Sequence, residues 1–229
     1  MTTDPSASYL GRRIQFLDPI SYLGISNVAL EAPKPKRPQY VLGIDLGQTN
    51  DHTALVVIEV IPGRPERYEC PWLERLPLGV PYPQQADRIS ELVGELKARG
   101  SLRVVIDSTG VGRAVVQDIR LRLGISVLAV TITGGTAMSE KKHGEMTVPK
   151  RDLVSAVKVA LQNERLKIAK ELPEAETLVR ELLAFQAKLT ATGHDTYEAW
   201  REGEHDDLVL ALSLALWLPA NGKCVRLIV

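Results

Sequence analysis

From Tyr40 to Val60 the chain reads YVLGIDLGQTNDHTALVVIEV: an apolar run ending in Asp45, a turn-forming Gly47-Gln48-Thr49-Asn50-Asp51, then a second apolar run rich in β-branched residues from about Thr53. Two such runs around a turn predict a β-hairpin. Its first strand delivers a carboxylate at its end. An acid in that place either holds a divalent cation through oxygen or sits beside a nucleotide phosphate with a metal between them. The rest of the chain has to choose between these chemistries.

Downstream, Glu66 to Leu76 predicts a third strand that completes an antiparallel meander, with Gly63 in the turn before it. Pro81 to Arg99 carries Ala86, Ile89, Leu92, Val93 and Leu96 at helical spacing, and Arg103 to Ile106 follows as a short buried strand ending in Asp107. The alternation then repeats, with a helix over Arg113 to Leu123 and a strand over Ser126 to Ile132. Thr133 to Thr147, with Gly134-Gly135 and Lys141-Lys142-His143, predicts a mobile loop or ribbon that touches substrate. Helices follow over Pro149 to Glu164 and Pro173 to Lys188, then a polar hairpin-like segment from Ala191 to Trp200. The last helix, about Glu204 to Leu218, is apolar on nearly every face and predicts burial against the sheet.

At 229 residues, 45% hydrophobic and 24% charged, the chain has ordinary globular composition. Residues 1–39 read as an N-terminal arm ending in a Pro/Lys-rich linker, Ala32-Pro33-Lys34-Pro35-Lys36-Arg37-Pro38, and residues 40–229 as the folded domain. Lys plus Arg and Asp plus Glu both number 28, so a nucleic-acid partner would need a local basic surface. Cys70 and Cys224 have no CxxC partner, which excludes the usual thiolate zinc spacing and fits a reducing, cytoplasmic setting. Leu208 to Leu218 is too short to span a bilayer, so no membrane is expected.

Three acidic positions lie at element ends flanked by buried sequence: Asp45, Asp107 and the Asp206-Asp207 pair that opens the last helix. Brought together they repel unless cations sit between them, and two divalent ions about 4 Å apart are a known arrangement for in-line phosphoryl displacement. The blander alternatives are that Asp107 forms the turn before Ser108-Thr109-Gly110 and that Asp206-Asp207 complements a helix dipole. His205 is either a ligand or proton shuttle, or an orienting helix-start residue. Among the basic residues, Lys141 and Lys142 are candidate phosphate contacts. Arg151 shares that role as part of a stripe with Lys158, Gln162 and Arg165, opposite Leu153, Val157 and Leu161.

The runs GIDLGQTNDHTAL, VVIDSTGVGRAVVQDI, VPKRDLVSAVKVALQNERLKI and YEAWREGEHDDLVLALSLALW resemble the nuclease domain of the phage terminase large subunit, an RNase H-like fold. The likeness spans about residues 40–218 and is most specific at Asp107 to Gly112 and at His205-Asp206-Asp207. It implies an α/β architecture, an RNase H-like mixed five-stranded sheet (three antiparallel and two parallel strands) flanked by helices. It also implies a metal site that uses Asp45 from the first strand, Asp107 from the fourth and Asp206 or Asp207 from the last helix. Two Mg²⁺ or Mn²⁺ ions would be its cofactors.

The expectation is thus a two-metal-ion endonuclease that cuts double-stranded DNA with little sequence preference, as in viral DNA packaging, in the cytoplasm of a host cell. No G-x-x-x-x-G-K-[ST] phosphate loop occurs, so the chain reads as the nuclease domain alone. Its partners would be a separate packaging ATPase, a small terminase or a portal protein. The alternatives are a Holliday-junction resolvase of the same fold, a degenerate DNA-binding scaffold, and an actin- or chaperone-like ATPase lobe suggested by the glycine turn after Asp45.

Overall fold

The computed structural model describes residues 37–47, 51–110, 113–141, 144–191 and 206–221. The first apolar run forms β1 (Gln39–Asp45), which opens a meander completed by β2 (Ala54–Ile61) and β3 (Arg67–Arg75). Antiparallel register pairs Asp45 with Ala54 and Ala54 with Arg75, so one row of residues crosses the three strands at the Asp45 end. Next comes α1 (Tyr82–Arg99), entered through Pro81 in extended conformation. Pro83 sits in its first turn, where a missing amide donor costs nothing. The chain then returns as β4 (Ser101–Asp107), parallel to β1. A second crossover through α2 (Arg113–Leu123) leads to β5 (Val127–Thr133), parallel to β4.

Three short strands add to these five: β6 (Ser139–Lys141), β7 (Glu145–Pro149) and, after α3 (Lys150–Gln162), β8 (Leu166–Ile168). The sheet order is β6-β7-β5-β4-β1-β2-β3-β8. Its middle is the expected five-stranded mixed sheet, and the additions lie at its edges. The ribbon of β6 and β7 extends the β5 edge, while β8 pairs parallel to β3 over only three residues, too few to show a periodicity. The last elements are α4 (Ala175–Ala191) and α5 (Asp207–Asn221).

Alternating side chains divide the core into two layers. Leu42, Ile44, Leu55, Val104 and Ile106 pack with Ile89, Leu92 and Leu96 of α1 and Ile119 of α2. Val41, Val56, Ile58, Val105 and Leu128 face the other way, against Leu153 and Val157 of α3, Leu178 of α4 and most of α5. Between Leu208 and Leu218 only Leu210 is less than fully buried, as the all-round apolar sequence predicts. Close approach over β1 depends on Gly43: a Cβ there would lie 2.0 Å from the Ala211 carbonyl oxygen and 3.0 Å from Ala215 Cβ. Among the described residues no helix is long and apolar enough to cross a membrane.

The basic stripe expected on α3 is not formed as drawn. That helix ends at Gln162, and Arg165 turns toward β3, where its Nε donates to the Glu66 carbonyl (2.5 Å) and its guanidinium lies 5.2 Å from the Tyr68 ring centre. Ala160 joins the buried face in place of Leu161, which is exposed. Ala191, the expected start of a hairpin-like segment, ends α4, and residues 1–36, Lys142, His143, the rest of that segment to Trp200, and His205 lie outside the described residues.

Candidate functional site

Parallel register between β1 and β4 pairs Ile44 with Ile106, so Asp45 and Asp107 are neighbours at the carboxyl ends of adjacent strands. Both carboxylates lie on the α5 side of the sheet, because Val41 and Val105, an even number of residues earlier, pack in that layer. The direction of α5 follows from its two ends. Leu216, Ala220 and Asn221 share a cleft with Tyr68 and Arg165, at the end of β3 remote from Arg75. At its start, the Val209 amide donates to Glu181 Oε2 (3.1 Å), and Glu181 pairs with Arg75 (3.8 Å). The first turn of α5, with Asp206 and Asp207, therefore comes to the sheet end that carries Asp45 and Asp107.

Asp107 is 3% exposed and closes a turn as well as ending a strand. Its Oδ1 accepts from the Thr109 backbone amide (2.7 Å) and the Thr109 hydroxyl (2.5 Å). That hydroxyl oxygen in turn accepts from the Ile132 amide (2.8 Å), which ties the turn to β5. Gly47, two residues after Asp45, is held from α1 and β2. The buried Gln85 of α1 donates to the carbonyls of Gly47 (3.3 Å) and Val80 (2.8 Å) and accepts from the Thr53 hydroxyl (2.8 Å). The Thr53 oxygen also accepts the Gly47 amide (3.0 Å). His52 meets the Leu76 carbonyl through Nδ1 (2.7 Å), so it closes the end of the meander.

The family described as the terminase RNaseH-like domain matches residues 42–218. The chain belongs to this family. Among solved structures, the terminase RNase H-like domain seen here is similar to the human cytomegalovirus terminase nuclease domain, in a Mn-soaked crystal. The TM-score is 0.56 and the identity 13%, with 87% of this chain and 92% of that one covered. Two structures of Thermus thermophilus RuvC, one in complex with a Holliday junction substrate, align at TM-scores of 0.41 and 0.40. Each is 15% identical, and the alignments cover 81% of this chain and 96% of the other. No curated protein sequence matches.

Within this terminase domain, sequence reasoning missed one acid. Glu181 lies 8% exposed on α4, and burial is the largest cause that pushes its carboxyl up to about 7. The Val209 amide and Arg75 act downward, Asp207 and Asp206 upward. A signal existed in the sequence: Glu181 follows Ala175 and Leu178 in steps of three, and both of those face the core. Lys141 is exposed on the edge strand β6, three strands from Asp107. Arg151 stands in the first turn of α3, where it donates to the Thr136 carbonyl (2.5 Å) and lies 3.5 Å from Asp152.

The donors gathered at this sheet end are hard carboxylate oxygens, which suit Mg²⁺ or Mn²⁺ in preference to softer metals. They are not closed into a cage. Among the described residues no three His, Cys, Asp or Glu side chains stand close enough to hold one ion. The fit thus lies in donor chemistry and in shared position on the fold.

Proposed function

We propose that this terminase RNase H-like domain is a metal-dependent endonuclease that hydrolyses double-stranded DNA with little base preference, as in viral DNA packaging. The observation that carries the reading is the meeting of strand ends bearing Asp45 and Asp107 with the first turn of α5 bearing Asp206 and Asp207. In open α/β sheets, ligands take the crevice outside the carboxyl ends of the strands, and these acids line that end.

Asp45, Asp107 and Asp206 or Asp207 would hold two Mg²⁺ or Mn²⁺ ions, whose chemistry there would be to lower the pKa of water and to offset charge on the scissile phosphate and the leaving 3′ oxygen. The protein's own part would be to bring these acids of like charge to one end of the sheet. The turn bonds of Thr109 orient Asp107, and the Gln85 network holds the loop after Asp45. No side-chain nucleophile is required. Lys141, Lys142 and Arg151 would meet phosphates, and contacts of that kind position a duplex without reading its sequence. A packaging ATPase, small terminase or portal would direct the cut.

Digestion of supercoiled plasmid with Mg²⁺, Mn²⁺ or EDTA tests the reading. Nicked and linear products should appear with either metal and be absent with EDTA. Metal-independent cutting, or no cutting with either ion, overturns it. Four-way junctions in parallel reactions should be cut no faster than linear duplex, whereas strong junction preference would point to a resolvase.

A further inference from the structure

A helix start leaves its first amides without partners inside the helix, and a side chain at the N-cap ordinarily takes the third of them. In α5 the helical ladder begins with the Leu210 amide donating to the Asp206 carbonyl (2.9 Å), which makes Asp206 the N-cap and Val209 the third residue. The Val209 amide goes to Glu181, brought in from α4. Glu181 is more than nine-tenths buried, and its other oxygen faces Arg75 Nη1 at 3.8 Å. Arg75 in turn reaches Glu174, the residue just before α4, at 3.4 Å. Arg75 ends β3 in the same row of the sheet as Ala54 and Asp45.

We infer that Glu181 is a positioning residue: carried on α4 and steadied by Arg75, it fixes the first turn of α5 and so sets where Asp206 and Asp207 stand relative to Asp45 and Asp107. A buried carboxylate beside two aspartates is a costly choice for a mere space filler. What offsets the repulsion is the Arg75 guanidinium and the partial positive charge of the helix start. A chain of contacts thus runs from the sheet through Arg75 and Glu181 to the helix that bears the acid pair. The consequence for metal rests on the nuclease reading, whereas the mechanical link does not.

The test uses the full chain with Glu181→Ala, Glu181→Gln and Arg75→Gln. Circular dichroism reports the fold, hydrogen exchange reports the amides of residues 207–210, and the Mn²⁺ concentration for half-maximal thermal shift reports the site. Glu181→Ala should speed exchange at Val209 by about tenfold or more, since the buried amide loses its acceptor. It should also raise the half-saturating Mn²⁺ by about tenfold, the usual effect of removing a group that orients ligands. Glu181→Gln keeps an acceptor oxygen and should restore most of both. Exchange in Glu181→Ala equal to the wild type overturns the inference, as does Glu181→Gln behaving as badly as Glu181→Ala. If Glu181→Ala does not fold, Arg75→Gln must speed exchange at Val209 and Glu181→Gln must not. A wild type that neither shifts with Mn²⁺ nor cuts DNA would refute the nuclease reading, while the exchange data still decide the positioning role.

Discussion

At Asp107 two roles that the sequence set against each other coexist. The side chain closes the turn through Thr109, and it ends a strand beside Asp45. Asp107→Asn keeps an oxygen for the Thr109 amide and removes one negative charge from an acidic site. It should melt at or above the metal-free wild type, yet lose cleavage by at least about a hundredfold, the scale on which one preorganised electrostatic group acts. Wild-type cleavage by this variant with Mn²⁺ would leave Asp107 a turn former only. Cys70 offers an independent check on burial. Its thiol is pushed up to about 12 by burial, so any stability linked to this shift is complete below the ordinary thiol range and lost only as pH rises toward that value. Iodoacetamide at pH 8 should therefore leave Cys70 unmodified in the native protein and label it in urea, as read from its peptide by mass spectrometry. The proposed acids Asp45, Asp107, Asp206 and Asp207 stand out in the sequence because each borders an apolar run, and the fold brings their elements to one end of the sheet. For Glu181 and Gln85 helical spacing could show burial but not the partner, because an isolated polar residue within a helical stripe does not reveal what it bonds. That partner is a backbone group from elsewhere in the chain.

Among the elements, α5 is the one on which the site depends, and its seat over β1 has no room for a side chain at Gly43. A Cβ would meet backbone oxygen at 2.0 Å, and backbone cannot rotate away as a flexible side chain can. Gly43→Ala should therefore displace the helix and destabilise the protein by about 1–3 kcal/mol or more, the cost of overpacking a core. A urea midpoint equal to the wild type would show that α5 is not held against β1 in this way. The helices and the five central strands could be read from periodicity and turn residues. The small edge elements could not: β6 and β8 are three residues each, and β8 depends on Arg165, which the α3 stripe had claimed. Their pairing is set by the neighbouring strand and not by local sequence.

For the molecule as a whole, equal numbers of acidic and basic residues mean that DNA affinity, if present, must come from placement. Three parallel strands, β4, β5 and β7, end on the side of the sheet that carries the acids, and α3 begins there with Arg151. On the edge strand, the Lys141 backbone lies roughly 14 Å from that of Asp107, at about 4.8 Å per strand over three strands, and alternation directs its side chain to the face opposite the α5 layer that holds Met146. It stands opposite Glu145 in register, but a cross-strand pair at an open sheet edge, with the lysine exposed, holds little energy and would yield to phosphate. Arg151 is committed to the Thr136 carbonyl and lies near Asp152, so less of its charge is available. Changing Lys141 and Lys142 together to Ala should thus weaken duplex binding and flatten the slope of log K against log salt by up to about two, close to one counterion per lost phosphate contact. Arg151→Ala should change that slope less. Equilibrium titration of a fluorescent duplex across a salt series measures both. If the double variant kept the wild-type slope while Arg151→Ala reduced it, the DNA path would run over the start of α3 and not along the β6–β7 ribbon.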